Sequence, residues 1–328
     1  MKAIIWTKYG SPDGLQLQDV EKPVPKANEL LIKIKATTVS AGDCEVRSLQ
    51  MPFWLALPMR LYIGFGRPQR IRILGQELAG EVEAVGADVK RFQPGDQVMA
   101  IMGFQLGGYA EYVCMPETQQ GMSGQVVHKP SNLSFAEAAA VPLGGLESYH
   151  FLQQAKIQPG EKVLINGAGG SIGTMGVQLA KHFGAEVTAV DSGDKLEMLS
   201  RIGTDHIIDY TQADFTKNGE QYDVIFDVVG KSPFARSIQS LRENGRYLIA
   251  NPKPFTSMRG AWYTRGSNKK VFADPANHKL EEFLALKELL AAGYLKPVIG
   301  KQYPLAQMVA AHRYVEMGHK QGSLVIEV

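Results

Sequence analysis

Three small residues and one acid are the first groups whose spacing promises chemistry. Ala168, Gly170 and Gly173 fit Ala-x-Gly-x-x-Gly, and Asp191 lies 18 residues past Gly173. Small residues in that order let the backbone close on a pyrophosphate at the positive end of a helix, and an acid at that distance accepts from a ribose hydroxyl. These groups need a strand before the turn, a helix after it and a second strand beneath the acid. Val163 to Asn166 reads as that strand, Gly167 to Gly173 as the turn, Ile172 to Phe183 as the helix and Glu186 to Val190 as the second strand. The sequence therefore predicts a nucleotide-binding crossover.

Composition sets the frame around it. With 328 residues and 45% hydrophobic content, the chain has room for two packed domains. A net charge of +2 with scattered basic residues excludes a field for nucleic acid. Cys44 and Cys114 are the only cysteines, too few for a disulfide framework or a four-thiolate zinc site, and they fit a reducing compartment. The opening MKAIIW runs straight into a strand-like segment with no signal-peptide pattern, so a cytoplasmic protein is expected. Met51 to Phe65 is apolar, but Pro52, Pro58 and Arg60 break it well short of a membrane span. It reads as a lid or pocket wall.

The positioning elements follow from pattern. Leu30, Ile32, Ile34 and Ala36 alternate, Gly108 to Met115 gives another strand, and Pro94-Gly95-Asp96 is a turn, so the first part is β-rich. Ser134 and Glu137 make a capping box before a helix from Phe135 to Ala140 that Pro142 ends, and Gly145 to Ala155 suits a further helix. Past Asp191 strand and helix alternate: Lys195 to Ile202 helical, His206 to Tyr210 extended, Asp223 to Val229 a strand, Phe234 to Leu241 helical, Gly245 to Ala250 and Lys270 to Ala273 strands. That is a doubly wound parallel sheet with helices on both faces. A long helix, Lys279 to Ala292, a helix reaching Tyr314 and a strand, Ser323 to Val328, end the chain. This tail is too short to fold alone and is expected to return to the first domain, leaving a cleft between the two.

Several stretches together resemble the zinc-free quinone oxidoreductase branch of the medium-chain dehydrogenase/reductases. They are ILGQELAGEVEAVG from Ile73, FQPGDQV from Phe92, AAAVPLGGLESYHFL from Ala138, the glycine turn, GTDHIIDY from Gly203 and LKPVIGKQY from Leu295. The resemblance implies a GroES-like β domain built from both chain ends, residues 1–125 and 275–328, and a Rossmann dinucleotide-binding domain, residues 126–274. Zinc-dependent relatives place ligands at positions that here hold Ser40, Gln76 and Gly144, which cannot make the nitrogen and sulfur coordination zinc needs. The expected chemistry is therefore metal-free hydride transfer from NAD(P)H to a quinone or an α,β-unsaturated carbonyl. Open alternatives are a zinc-independent alcohol dehydrogenase or enoyl reductase, and a nucleotide-binding structural protein without turnover.

By the same resemblance Asp43 and Arg47 orient cofactor or substrate, or else form a structural ion pair. Ser148 matches a nicotinamide contact. Glu147 stands where the family usually has Thr or Ser, and is either a proton donor or a carboxylate favoured by a helix N-terminus. Glu77 reads as structural and His150 as a helix-surface or core histidine, while Trp54, Tyr62 and Phe65 suit an aromatic wall or a plain lid contact. Cofactor contacts extend to Ser171, Ile172, Val229 and Asn251. Asp191 argues for NADH, whereas Lys195 and Tyr210 stand where NADPH-preferring relatives bind, so the choice between the two stays open. A homodimer joined at the edge strand from Lys270 to Ala273 is also implied.

Overall fold

The chain begins with an antiparallel pair, β1 (Lys2–Trp6) and β2 (Leu15–Asp19), and then enters the long strand β3 (Glu29–Thr38). A computed structural model describes residues 1–51, 53–121, 123–253 and 255–328. Two short helices follow, α1 (Ala41–Ser48) and α2 (Phe53–Ile63), and then β4 (Glu77–Val85), β5 (Gln97–Gly103), β6 (Tyr112–Pro116), β7 (Ser123–His128) and α3 (Phe135–Ala139). The alternation seen in the sequence is real: Leu30, Ile32 and Ile34 on β3 bury against Leu78, Val82, Val98 and Val126. A second cluster joins Trp6 and Leu15 from the start of the chain to Met308, Leu324 and Ile326 from its end.

That junction is made by the last elements, β14 (Ile299–Pro304), α10 (Met308–Glu316) and β15 (Ser323–Glu327). β15 pairs antiparallel with β3, Val325 opposite Thr38, and β14 pairs parallel with β15 on its other side. The first compact unit is accordingly Met1–Leu143 with Val298–Val328.

Gly144–Pro297 is the second unit. Its elements are α4 (Pro142–Ala155) from Gly144 onward, β8 (Lys162–Asn166), α5 (Ser171–His182), β9 (Glu186–Asp191), α6 (Leu196–Arg201), β10 (His206–Asp209), β11 (Tyr222–Asp227), α7 (Phe234–Gln239), β12 (Leu241–Ile249), α8 (Thr256–Tyr263), β13 (Lys270–Phe272) and α9 (Leu280–Ala291). The sheet runs β10-β9-β8-β11-β12-β13, all parallel. Strand order reverses between β8 and β11, which is where doubly wound sheets bind ligands at the carboxyl ends of their strands.

Boundaries differ from the sequence reading in three places. The domain break falls at Leu143 rather than residue 125, because β7 completes the first sheet against β5 and α3 packs on β3 and β4. It falls at Pro297 rather than 274, because Phe283, Leu286 and Leu290 bury one face of α9 in the second unit. Pro142 opens α4 instead of closing α3: in the first turn of a helix its missing N–H is no loss.

Candidate active site

The glycine turn joins β8 to α5, and each small residue in it answers to a different neighbour. A side chain on Gly173 would come within 2.2 Å of the Gly167 carbonyl oxygen, so bareness there lets α5 pack on the turn. A side chain on Gly169 would meet Lys195 Cδ at 2.4 Å. Around Gly170 the chain itself offers nothing nearer than the Gly167 oxygen at 4.0 Å. Its lack of a side chain leaves a cradle that a Cβ would fill, at the N-cap of a 12-residue helix on which no side chain caps the first turn. Backbone N–H groups and the helix dipole at such an end suit a pyrophosphate, so these residues fit a dinucleotide.

Helix α4 braces that turn. Gly144 is so close that a Cβ there would meet the Ser171 carbonyl oxygen at 2.6 Å, and the fully buried Ser148 donates through Oγ to the Ile172 oxygen at 2.6 Å. Ser148 thus holds the first turn of α5 through its hydroxyl proton. Ala168 is buried beneath the turn, while Val229 packs over Gly167 and remains 40% exposed. Asn251 donates through Nδ2 to the Val228 oxygen at 2.8 Å, shaping the loop after β11. Tyr210, at the end of β10, is exposed.

Asp191 and Lys195 are not rivals but partners. Asp191 Oδ2 accepts from Gly169 N at 2.7 Å, and Oδ1 accepts from Ser192 N at 2.9 Å and pairs with Lys195 Nζ at 2.9 Å. Both side chains are almost wholly buried. The carboxylate expected to meet a ribose hydroxyl also pins the glycine turn, and Lys195 balances its charge in place.

Glu147 lies 2.9 Å from His278 Nε2, and His150 Nδ1 lies 3.2 Å from Glu282 Oε1. Both contacts join α4 to the segment around α9. His278 sits at φ +46, a backbone setting few side chains adopt, and it reaches Glu147 from there. Asp227 escaped the sequence reading: it accepts from Asn166 Nδ2 at 2.9 Å, Gly230 N at 2.9 Å and the Tyr247 hydroxyl at 2.8 Å, fixing the loop that carries Val229. An acid closing a second parallel strand beside the first was the available signal.

In the first unit, Asp43 and Arg47 do not pair with each other. Asp43 is the third residue of a capping box on α1: Oδ2 accepts from Ser40 N at 2.9 Å and Ser40 Oγ at 2.6 Å, and Asp43 N donates back to Ser40 Oγ at 3.0 Å. Burial raises its pKa. Arg47 is completely buried, with its guanidinium on the Gly10 oxygen and the Glu316 carboxylate. It ties α1 to α10 as a structural ion pair, formed with Glu316 rather than with Asp43. Glu77 accepts from Leu143 N at 2.6 Å and from the Thr38 hydroxyl, and burial pushes it up to about 7. Cys44 Sγ lies 3.3 Å from His312 Nδ1; burial drives the thiol up to about 12 and the imidazole down to about 3, so the pair is neutral.

Among the described residues, no group of three or more His, Cys, Asp or Glu side chains is placed to hold a metal ion. Gln76 donates through Nε2 to Ser40 Oγ at 3.1 Å. Trp54, Tyr62 and Phe65 lie on or just after α2 and are exposed.

Residues 26–129 match the alcohol dehydrogenase GroES-like domain, and residues 202–326 match the zinc-binding dehydrogenase family. Over 99% of its length the chain is 33% identical to the 2-methylene-furan-3-one reductase of Solanum lycopersicum, covering 79% of that protein. It is 30% identical to the chloroplastic quinone-oxidoreductase QR1 of Triphysaria versicolor, with 100% of this chain and 98% of the relative covered. The chain belongs to the quinone oxidoreductase-type medium-chain dehydrogenase/reductases. Among solved structures, the quinone oxidoreductase of Coxiella burnetii superimposes with a TM-score of 0.87 at 30% identity, covering 100% of this chain and 99% of that one. The fold is thus a Rossmann sheet with a GroES-like domain, and membership makes the protein an NAD(P)H-dependent oxidoreductase. No helix among the described residues is long and apolar enough to cross a membrane.

Proposed function

We propose that this oxidoreductase reduces a quinone or an α,β-unsaturated carbonyl, and that it does so without zinc. The observation that carries the reading is the chemistry at the positions where zinc-dependent relatives hold their metal. Gln76 and Ser40 are bonded to one another at 3.1 Å, and Ser40 Oγ is bonded onward to Asp43 at 2.6 Å. An amide and a hydroxyl committed in this way do not supply zinc ligation. The third position, Gly144, has no room for a ligand, because a Cβ there would meet the Ser171 carbonyl oxygen at 2.6 Å. Without a Lewis acid a plain ketone lacks its electrophile, whereas a conjugated acceptor spreads the arriving charge over its own π system. The names of the tomato and Triphysaria relatives support that acceptor class.

When bound, the reduced nicotinamide supplies the hydride. The chain's own part is to hold the pyrophosphate at Gly170 and the first turn of α5, and to hold that turn in place through Ser148 and the Asp191–Lys195 pair. Because Asp191 is charge-balanced by Lys195, it does not repel a 2′-phosphate strongly, and NADPH joins NADH as a substrate. We further propose a homodimer joined at β13, the outer strand of the second sheet, and a cytoplasmic location.

Absorbance loss of NADPH and NADH with a panel of quinones, enones and saturated ketones tests this. Turnover of the first two classes by protein shown to be free of metal is expected. Uptake of nucleotide without turnover of any acceptor, or activity restored only by added zinc, would overturn it.

A further inference from the structure

The least buried apolar element of the first unit is α2. Ile63 is its only fully buried residue, and with Ala56 and Met59 it forms a narrow inner stripe. Phe53 is 78% exposed, Leu61 68% and Trp54 54%, and Leu55, Leu57 and Tyr62 are exposed as well. At 100° per residue, these outer side chains spread over roughly 200° of the helix circumference. A groove on a protein partner takes a stripe at i, i+3, i+4 and i+7, whereas an apolar surface this wide suits a medium that is apolar in every direction.

Charge points the same way. From Val46 to Gln76 there is no aspartate or glutamate, while Arg47, Arg60, Arg67, Arg70 and Arg72 all fall in the stretch. Arg47 is buried, and the other four are exposed at the foot of α2 and just beyond it. Arg70 lies over the Tyr62 ring at 4.2 Å and Arg60 over the Tyr9 ring at 5.2 Å, so aromatic and cationic groups share the border of the apolar surface. The helix is anchored there: Tyr9 donates to the Gly64 oxygen at 2.6 Å, and the Ile63 oxygen accepts from Gln69 N and Arg70 N at 3.0 Å each.

We propose that α2 docks this protein on the surface of an anionic lipid bilayer. Phe53, Trp54 and Leu61 enter the acyl boundary, while Arg60, Arg67, Arg70 and Arg72 meet lipid phosphates. With 11 residues the helix lies in the interface and does not span. A second copy of the chain is the poorer occupant, since a twofold contact here would set arginines against arginines. Docking would bring the protein to the phase in which apolar quinones and enones dissolve, but it rests on no step of the redox reading.

Flotation of the full chain with vesicles, in the absence of cofactor and acceptor, tests docking separately from turnover. The protein is expected to float with phosphatidylcholine vesicles that contain phosphatidylglycerol, less so as salt rises, and not with phosphatidylcholine alone. The double variant Phe53→Ser/Leu61→Ser changes only exposed side chains, and is expected to lower the bound fraction roughly tenfold; Arg67→Glu/Arg72→Glu is expected to do the same. Circular dichroism of both variants checks that they fold. A blue shift of Trp54 fluorescence on the anionic vesicles, absent in Trp54→Phe, is expected as well. No flotation with anionic vesicles, or flotation unchanged in either folded double variant, would overturn the proposal. So would self-association without lipid that Leu61→Ser abolishes, which would give this face to a second copy.

Discussion

Asp191 and Lys195 show how far a residue's role depends on what has already claimed its atoms. With the carboxylate bonded to Gly169 N, Ser192 N and Lys195 Nζ, removal of the lysine strands a nearly buried charge. Lys195→Met is expected to cost about 3 kcal/mol of stability in urea unfolding and to weaken NADPH relative to NADH about tenfold, as read from dissociation constants. Glu147 is the other residue to test. Its side chain lies 2.9 Å from His278 Nε2, and the role proposed for it is in the chemistry rather than in nucleotide binding. Glu147→Gln is expected to slow acceptor reduction roughly a hundredfold with little change in nucleotide affinity, and turnover unaltered across pH would remove Glu147 from the chemistry. Glu77 has a pH signature. Burial lifts it from 4.5 to about 7 when folded, so its contribution to stability is full below the unfolded value and is lost as pH rises through the folded one. The stability difference between Glu77→Gln and the parent is expected to move in the variant's favour from about pH 4.5 to about pH 7. His312, held down at about 3, has the opposite sign: its contribution is full above its ordinary 6.5 and is lost as pH falls.

At the scale of elements, the glycine turn separates fold from function within four residues. Gly173→Ala drives a Cβ to 2.2 Å from the Gly167 oxygen and is expected to lower Tm by several degrees. Gly170→Ala meets nothing in the chain and is expected to leave Tm unchanged while weakening dinucleotide binding at least about tenfold by titration calorimetry. This turn was legible in the sequence because its spacing is local and its chemistry follows from backbone geometry. The same local rule would have found the Ser40–Asp43 capping box, which has the Ser-x-x-acid spacing that revealed Ser134–Glu137. What stayed hidden was long-range. Arg47 finds Glu316, Glu147 finds His278 and Cys44 finds His312, and no periodicity within a helix carries information about a partner 131 to 269 residues away. Without Glu316, Arg47 looked like a neighbour of Asp43 on one helix turn, open to a ligand or to an ion pair with that acid.

Over the whole molecule, the order of alternating strands and helices was enough to lay out the second sheet, including its short outer strand β13. The first unit was harder to delimit, because its strands come from both ends of the chain and no clean alternation marked β14. β15 sits between β14 and β3 in that sheet. Deleting Ser323–Val328 is expected to leave the first unit open to limited proteolysis within residues 1–143 while Gly144–Pro297 persists as a resistant fragment; a wholly resistant product would refute it. The same arrangement sets an order on synthesis. A ribosome delivers every residue of the second unit before it delivers β15, so the second unit can complete itself while the Ala36–Thr38 end of β3 still lacks its outer partner. Such an open edge is a hazard for mispairing between nascent neighbours, and the interval ends only when β15 leaves the exit tunnel.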